Sequence, residues 1–100
     1  ELPIANFIIP NVLCNDSATQ FTDYTYINTN DTLNSWTWDF GNSNTSVFQN
    51  PTNNYAQPGT YNVQLIVSTQ KGCRDTIVKP VTVNVPPVLF VYVAVPLGLL

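Results

Sequence analysis

The stretch Trp36-Thr37-Trp38-Asp39-Phe40-Gly41 constrains this chain more than any other. Three aromatic rings alternate with Ser35, Thr37 and Asp39, a period of two that an extended strand turns into one apolar face. Gly41 ends the strand, because glycine takes the positive φ that a sharp exit needs. Downstream, Pro58-Gly59-Thr60-Tyr61 reads as a turn that launches a second strand, with Tyr61, Val63, Leu65 and Val67 on one face. Rings on one strand facing aliphatics on another imply two sheets packed face to face. Trp36, Trp38, Phe40, Tyr61, Val63, Leu65 and Val67 are therefore the expected core.

The rest of the chain fits the same plan. Leu2 to Ile9 reads as a first strand that Pro10 kinks or ends, and an early proline suits an edge strand. Thr19 to Tyr24 is a second strand with Phe21 inward, and Asn28 to Asp31 is a loop of residues that bond their own backbone. Leu33 to Phe40 is the aromatic strand, and Asn42 to Ser46 is a turn. Val47-Phe48 is expected as a short edge strand, and Asn50 to Tyr55 as a crossing between sheets. Tyr61 to Thr69 is the clearest strand, and Gln70-Lys71-Gly72 is a hairpin turn. Arg74 to Val85 is the last strand. Its parity slips at Lys79-Pro80, because Lys79 shares a face with Val81, Val83 and Val85, so a bulge is expected there to reset the alternation. About seven short strands with turns at regular intervals argue for an all-β, immunoglobulin-like sandwich of two antiparallel sheets.

Residues 1–85 thus form one domain, and Pro86-Pro87 reads as a stiff boundary. The tail, residues 86–100, is almost wholly apolar. It is shorter than the roughly 20 residues a membrane-spanning helix needs, and Pro96 interrupts it. Three readings stay open for it: the first strand of a following domain, since Pro87-Val88-Leu89-Phe90 echoes Pro3-Ile4-Ala5-Asn6-Phe7; a strand added to this sandwich or to another copy, giving self-association; or a non-native end. Exposed Val and Leu invite edge pairing.

Composition removes several functions. Charged residues are 9% of the chain, against roughly 25% in a typical soluble domain, and the polar surface is built from Asn, Thr, Ser and Gln. That suits a secreted or cell-surface module. Three basic residues, Lys71, Arg74 and Lys79, make no patch for a nucleic-acid backbone. With no His in the sequence, the commonest general base is missing. The six acids, Glu1, Asp16, Asp23, Asp31, Asp39 and Asp75, fall on separate turns and strands, and no Ser or Thr has an activating base. No phosphate loop or zinc spacing appears. No enzyme, cofactor or metal site is therefore expected. Asp39 points away from the rings and is expected to accept backbone N–H groups. Trp38 needs a partner for its indole N–H if buried.

The residues resemble a PKD domain, the immunoglobulin-like module named after the polycystic kidney disease protein. The family's Trp-Asp-Phe-Gly-Asp-Gly stands here as Trp38-Asp39-Phe40-Gly41-Asn42-Ser43. Its Asn-Pro-x-His-x-Tyr stands as Asn50-Pro51-Thr52-Asn53-Asn54-Tyr55. Its Pro-Gly-x-Tyr-x-Val-x-Leu-x-Val stands as Pro58 to Val67. Gly72-Cys73-Arg74-Asp75-Thr76 is similar to an ending common in large secreted bacterial proteins. The resemblance covers about residues 4 to 85 and implies a non-catalytic extracellular module: a spacer, an adhesive surface, or a helper beside a secreted enzyme or adhesin. Its partners would be neighbouring domains, other proteins or surface glycans. Some PKD-like domains bind calcium near acidic turns, and Asn42-Ser43 in place of Asp-Gly removes an acid from that turn. Tyr61 resembles the tyrosine corner of immunoglobulin-like folds, where a hydroxyl bonds to the chain just upstream. A carbohydrate- or polymer-binding module is the competing reading, with Trp36, Tyr24 or Tyr26 as stacking platforms.

Two features are left over. Cys14 and Cys73 suit a disulfide in a secreted domain, yet an immunoglobulin-like topology puts them at opposite ends, and a disulfide spans only about 7 Å between Cα atoms. They are expected to pair with neighbouring domains rather than with each other. Asn15-Asp16-Ser17, Asn30-Asp31-Thr32 and Asn44-Thr45-Ser46 match the N-linked acceptor pattern. Ser17, Thr32 and Thr76, each after an Asp, resemble O-glycan acceptors of certain secreting bacteria. Chance is the competing explanation, since these residue types crowd every turn.

Overall fold

A computed structural model describes residues 3–11, 13–27 and 30–85. The readings placed on Leu2, on Asn28-Thr29 and on the tail from Pro86 to Leu100 lie outside the described residues. Eight strands follow in order: β1 Phe7–Ile8, β2 Ala18–Gln20, β3 Thr22–Asp23, β4 Leu33–Asp39, β5 Thr45–Ser46, β6 Thr52–Asn54, β7 Gly59–Thr69 and β8 Arg74–Val83. Among the described residues there is no helix. The chain is an all-β, immunoglobulin-like sandwich.

One layer is a four-stranded antiparallel sheet in the order β5-β4-β7-β8. The other is built around β2 and β3, a run interrupted only at Phe21. β1 pairs with β3, and β6 pairs with β2. The amide of Phe21 donates to the carbonyl of Pro51 at 2.9 Å, so the β2–β6 pairing continues through the interruption. Asn50 to Tyr55 is therefore more than a crossing, because its middle is a strand of the layer built around β2 and β3. The expected edge strand at Val47-Phe48 falls instead on Thr45–Ser46, which pair with Asp39 and Trp38. Val47 and Phe48 are exposed.

The core is aromatic from both sides. Trp38 and Phe40 of β4 meet Phe7 and Phe21 of the opposite layer. The Phe7–Trp38 ring centroids lie 5.2 Å apart, edge-on, and Phe21 sits 5.5 Å from Trp38 and 4.8 Å from Phe40. The rings of β4 thus face rings rather than aliphatics. Val63, Leu65 and Val67 are neighbours in the same sheet and close the cluster laterally. The indole N–H of Trp38 donates to the Phe48 carbonyl at 3.0 Å, satisfying a donor that burial would otherwise penalise. Trp36 departs from its expected place. It is half-buried at the margin of the core, and its indole N–H donates to Asp23 Oδ2 at 3.0 Å. An indole that keeps a carboxylate partner stays near the solvent that hydrates the carboxylate.

The expected bulge at Lys79-Pro80 is absent. The β7–β8 register runs unbroken from Gly59↔Val83 to Ser68↔Arg74, and the irregularity lies in β4, between Leu33 and Ser35. Lys79 keeps the inner face, with its ammonium 4.7 Å from the centroid of the Phe7 ring and donating to the Phe7 carbonyl at 2.6 Å. Asp75, also on that face, accepts the Ala5 amide at 2.8 Å. Two inward charges on edge strand β8 thus bond the opposite backbone at Ala5 and Phe7, which closes the sandwich side and blocks further pairing. Pro80 fits for a related reason. Thr69 N donates to Cys73 O, so odd-numbered residues of β8 hold the ladder bonds. The N–H that Pro80 lacks would have pointed to the open edge.

Lys79→Ala removes a charge-assisted hydrogen bond and a cation–π contact together. Denaturation in urea is expected to show a loss of about 2 kcal/mol. An unchanged midpoint would mean that the lysine is merely tolerated on the inner face.

Candidate functional site

The strands carry the chain between two poles. At the entry pole Ile4 pairs with Tyr26, the Ala5 amide bonds Asp75, and the β7–β8 hairpin turns through Gln70 to Cys73. At the exit pole Asn84 lies between Leu13 and Asn15, accepting from the Asn15 amide at 2.9 Å and donating to the Leu13 carbonyl at 2.8 Å.

The turn after β4 belongs to the exit half. Asp39 Oδ1 accepts the Gly41 amide at 3.0 Å, Asn42 Oδ1 accepts the Asn44 amide at 3.3 Å, and the Phe40 amide donates to the Asn44 carbonyl at 3.1 Å. Two successive side chains thus replace the bonds a regular turn would make. Gly41 has φ +84°, and a Cβ there would come within 2.8 Å of the Asn62 carbonyl, so two separate constraints select glycine. Ser43 has φ +75° without being glycine. Asn42 Nδ2 donates to the Asn54 carbonyl at 3.3 Å, and Asn44 Nδ2 to Asn53 Oδ1 at 3.0 Å, tying the turn to β6. The side chains of Asp39, Asn42 and Asn44 are thus engaged with amides and carbonyls of the turn and of β6.

Beside this turn stand two tyrosines, with ring centroids 4.4 Å apart. Tyr61 Oη donates to the Gln57 carbonyl at 2.6 Å, four residues upstream, across Pro58 and Gly59. Tyr55, fully buried, donates to the Phe40 carbonyl at 2.8 Å, and burial pushes its hydroxyl pKa up to about 12. At the entry pole Asp31 accepts the amides of Thr32 at 2.8 Å and Lys71 at 3.3 Å. A hydrogen bond from the Thr69 side chain, with those two amides, holds its carboxyl below the usual carboxylate range.

Sequence reasoning missed Asp23, which joins the layers: Oδ2 accepts from Trp36 Nε1 and from Gln49 Nε2 at 3.1 Å, and Oδ1 accepts the Thr25 amide at 3.0 Å. It also missed Tyr55 as a core ring, although the Asn-Pro-x-x-x-Tyr spacing was visible. Among the described residues, no three of His, Cys, Asp and Glu lie together as a metal-holding group.

Among the described residues, the outer surface holds an aromatic patch. Tyr24 and Tyr26, two residues apart, share a face and are 65% and 61% exposed, and Ile4, 61% exposed, sits directly across from Tyr26. Ile8 lies on the same side of β1. Cys14 and Cys73 are both free thiols and half-buried. Cys14 pairs with Asn84 just past the end of β8 and Cys73 precedes its start. The 10 residues of β8 between them extend for roughly 33 Å, so one chain cannot bridge its own two thiols. Ser17, Thr32 and Thr76 are all exposed, Ser17 toward the exit pole and Thr32 toward the entry pole.

A family profile described as "PKD domain" matches residues 1–85. The chain belongs to the PKD-domain family. The PKD1 domain of Vibrio anguillarum Epp is similar to this one at 30% identity, with a TM-score of 0.76 over 86% of this chain and 98% of that one. The PKD1 domain of the Vibrio cholerae metalloprotease PrtV superposes with a TM-score of 0.73 at 28% identity, over 84% of this chain and 99% of that one. A third solved structure, described as showing the structural basis for the promiscuous specificity of carbohydrate-binding modules from the β-sandwich superfamily, has a TM-score of 0.77 at 27% identity; the match covers 85% of this chain and 35% of that one. By sequence, the pre-pro-metalloprotease PrtV of Vibrio cholerae is 42% identical over 55 residues, which is 55% of this chain and 6% of PrtV. This PKD domain therefore corresponds to a small part of its curated relative. PKD domains are in general non-catalytic modules.

Two substitutions test the turn. Ser43→Gly relieves a left-handed backbone and is expected to raise stability by about 1 kcal/mol in urea denaturation; a loss would show that the serine repays its strain. Tyr55→Phe orphans the Phe40 carbonyl and is expected to cost about 1 to 2 kcal/mol at neutral pH. The raised pKa of Tyr55 also fixes a sign. Its stabilisation is fully present below the unfolded value near 10 and is lost as pH rises toward about 12. The deficit of Tyr55→Phe should therefore shrink in that window, which denaturation curves at stepped pH would reveal.

Proposed function

We propose that this PKD domain is a non-catalytic extracellular module of a larger secreted or cell-surface protein, acting as a spacer and as a protein–protein or adhesive interaction unit. The observation that carries the reading is that the described chain enters at one pole and leaves at the other. β7, which runs between the poles, has 11 residues, about 36 Å of extended chain, so each unit lengthens its parent along one axis. The side chains of the turns are engaged in holding those turns. Kinship with a metalloprotease named as a pre-pro form supports an exported parent. Replacing the module in its parent by an unrelated sandwich of equal length tests the spacer role: preserved function supports it, and loss points to a specific surface.

A second reading rests on the aromatic patch. Tyr24 and Tyr26 stand exposed two residues apart, and one similar solved structure, matched over 35% of its chain, is described as explaining the specificity of carbohydrate-binding modules. Trp36 drops out as a platform because Asp23 and the core hold it. Affinity electrophoresis through gels containing soluble polysaccharides separates the readings. A glycan-binding module is retarded, and Tyr24→Ala with Tyr26→Ala abolishes the retardation while changing stability by less than about 0.5 kcal/mol. Equal mobility of native and doubly substituted protein in every gel leaves the spacer reading.

A further inference from the structure

We propose that Cys14 and Cys73 are the two halves of an inter-module disulfide, joining the exit pole of one module to the entry pole of the next module of the same build. The inference rests on the spacer reading only in needing a neighbour in the same protein. It stands on three observations. First, both thiols are free and half-buried, and β8 holds them too far apart to meet within one chain. Second, each sits where the chain passes from one module to another. Cys14 is bridged to Asn84, the last paired residue among those described, and Cys73 lies two residues from Asp75, which binds the Ala5 amide near the start of the described chain. Third, Pro87-Val88-Leu89-Phe90 loosely echoes Pro3-Ile4-Ala5-Asn6-Phe7, with one residue fewer between proline and phenylalanine.

Together these fix which thiol pairs with which. If Pro87 opens a following module as Pro3 opens this one, the next entry pole starts within about 10 Å of chain from Asn84. The thiol at Cys14 then faces the Cys73-type thiol of the following module, and like does not meet like. The site is directional: a contact from exit to entry is heterologous and repeats along a line instead of closing a pair. Cys14 also lines an open depression of about 210 Å³ with Pro10, Leu13, Ser17, Ala18 and Thr19, which gives a partner side chain access to its sulfur.

The chemistry is thiol–disulfide exchange with a small-molecule or protein disulfide as oxidant. The Cys14 thiolate attacks one sulfur of that disulfide, forming a mixed disulfide and expelling one thiolate. The Cys73 thiolate of the other module attacks the Cys14 sulfur, forms the Cys14–Cys73 bond and expels the second thiolate. Two protein thiols are oxidised, and the oxidant leaves as two reduced thiols.

The test uses two single variants of the full chain, Cys14→Ser and Cys73→Ser. They are mixed at about 1 mM, the effective concentration a short linker supplies, in a buffer of oxidised and reduced glutathione. Non-reducing electrophoresis and mass spectrometry of linked peptides read the product. The mixture is expected to give a heterodimer joined Cys14 to Cys73 at least tenfold over either homodimer, while each variant alone stays a glutathione-capped monomer. The unsubstituted chain is expected to give a ladder of oligomers that reductant collapses. A statistical mixture of homo- and heterodimers, or capped monomers only, overturns the proposal. Cys14→Ala and Cys73→Ala repeat the test if a serine variant loses its native tryptophan fluorescence. Loss of glycan retardation or of spacer function would leave this result untouched, so the two readings fail separately.

Discussion

The sandwich depends on Trp38 being wedged between the layers with its indole N–H satisfied. Phe7, Phe21 and Phe40 surround it, and the Phe48 carbonyl takes its one polar atom. Burying such a ring is strongly favourable only if that donor is not orphaned, since an unpaired buried N–H costs about as much as a good ring contact provides. The segment after β5 therefore has to pass beside β4 with a carbonyl turned inward. That requirement fixes the turn at Gly41, and the turn in turn places Asn42 and Asn44 against β6.

The strands that carry alternation were legible, because inner and outer residues of β4 and β7 differ sharply in polarity. The immunoglobulin-like architecture followed from those strands and the turns between them. What escaped reading has a common cause: a polar side chain whose partner is distant in sequence. Lys79 looked like an error of parity because a lysine among valines is unfavourable without a partner, and its partners, the ring and carbonyl of Phe7, lie 72 positions away. Asp23 looked like an ordinary strand-end acid, although it ties Trp36 and Gln49 to β3. Thr52–Asn54 pass for a loop, since only the pairing with β2 makes them a strand. At the candidate surfaces, the sequence and the expected topology supply the tyrosines and the opposite ends of the two cysteines, whereas the face that Tyr26 shares with Ile4 comes from cross-strand register.

Polar groups in this fold are spent mainly on local order. With charges scarce, single polar side chains bonded to backbone groups perform tasks that ion pairs perform elsewhere. Asp39 and Asn42 shape one turn, Asp31 clasps the hairpin opposite, and Tyr61 pins the approach to β7. Among the described residues, exposed surface for contacts with other molecules includes the tyrosine face of the layer built around β2 and β3, the Val47-Phe48 segment, and the poles where the thiols sit. A module whose turns are internally fixed can vary those surfaces without altering the frame.

The placement of the two poles has a mechanical consequence. Tension applied between the two poles would act along the strands, and the bonds from Asn84 to Leu13 and Asn15 join segments that run side by side in the same direction. Such bonds are loaded together in shear instead of opening one after another like a zipper. Rupture under force is governed by the unfolding barrier rather than by equilibrium stability. This small clasp, together with the bonds of Asp75 to Ala5 and of Lys79 to Phe7, is therefore placed to bear load when the module is pulled along that axis.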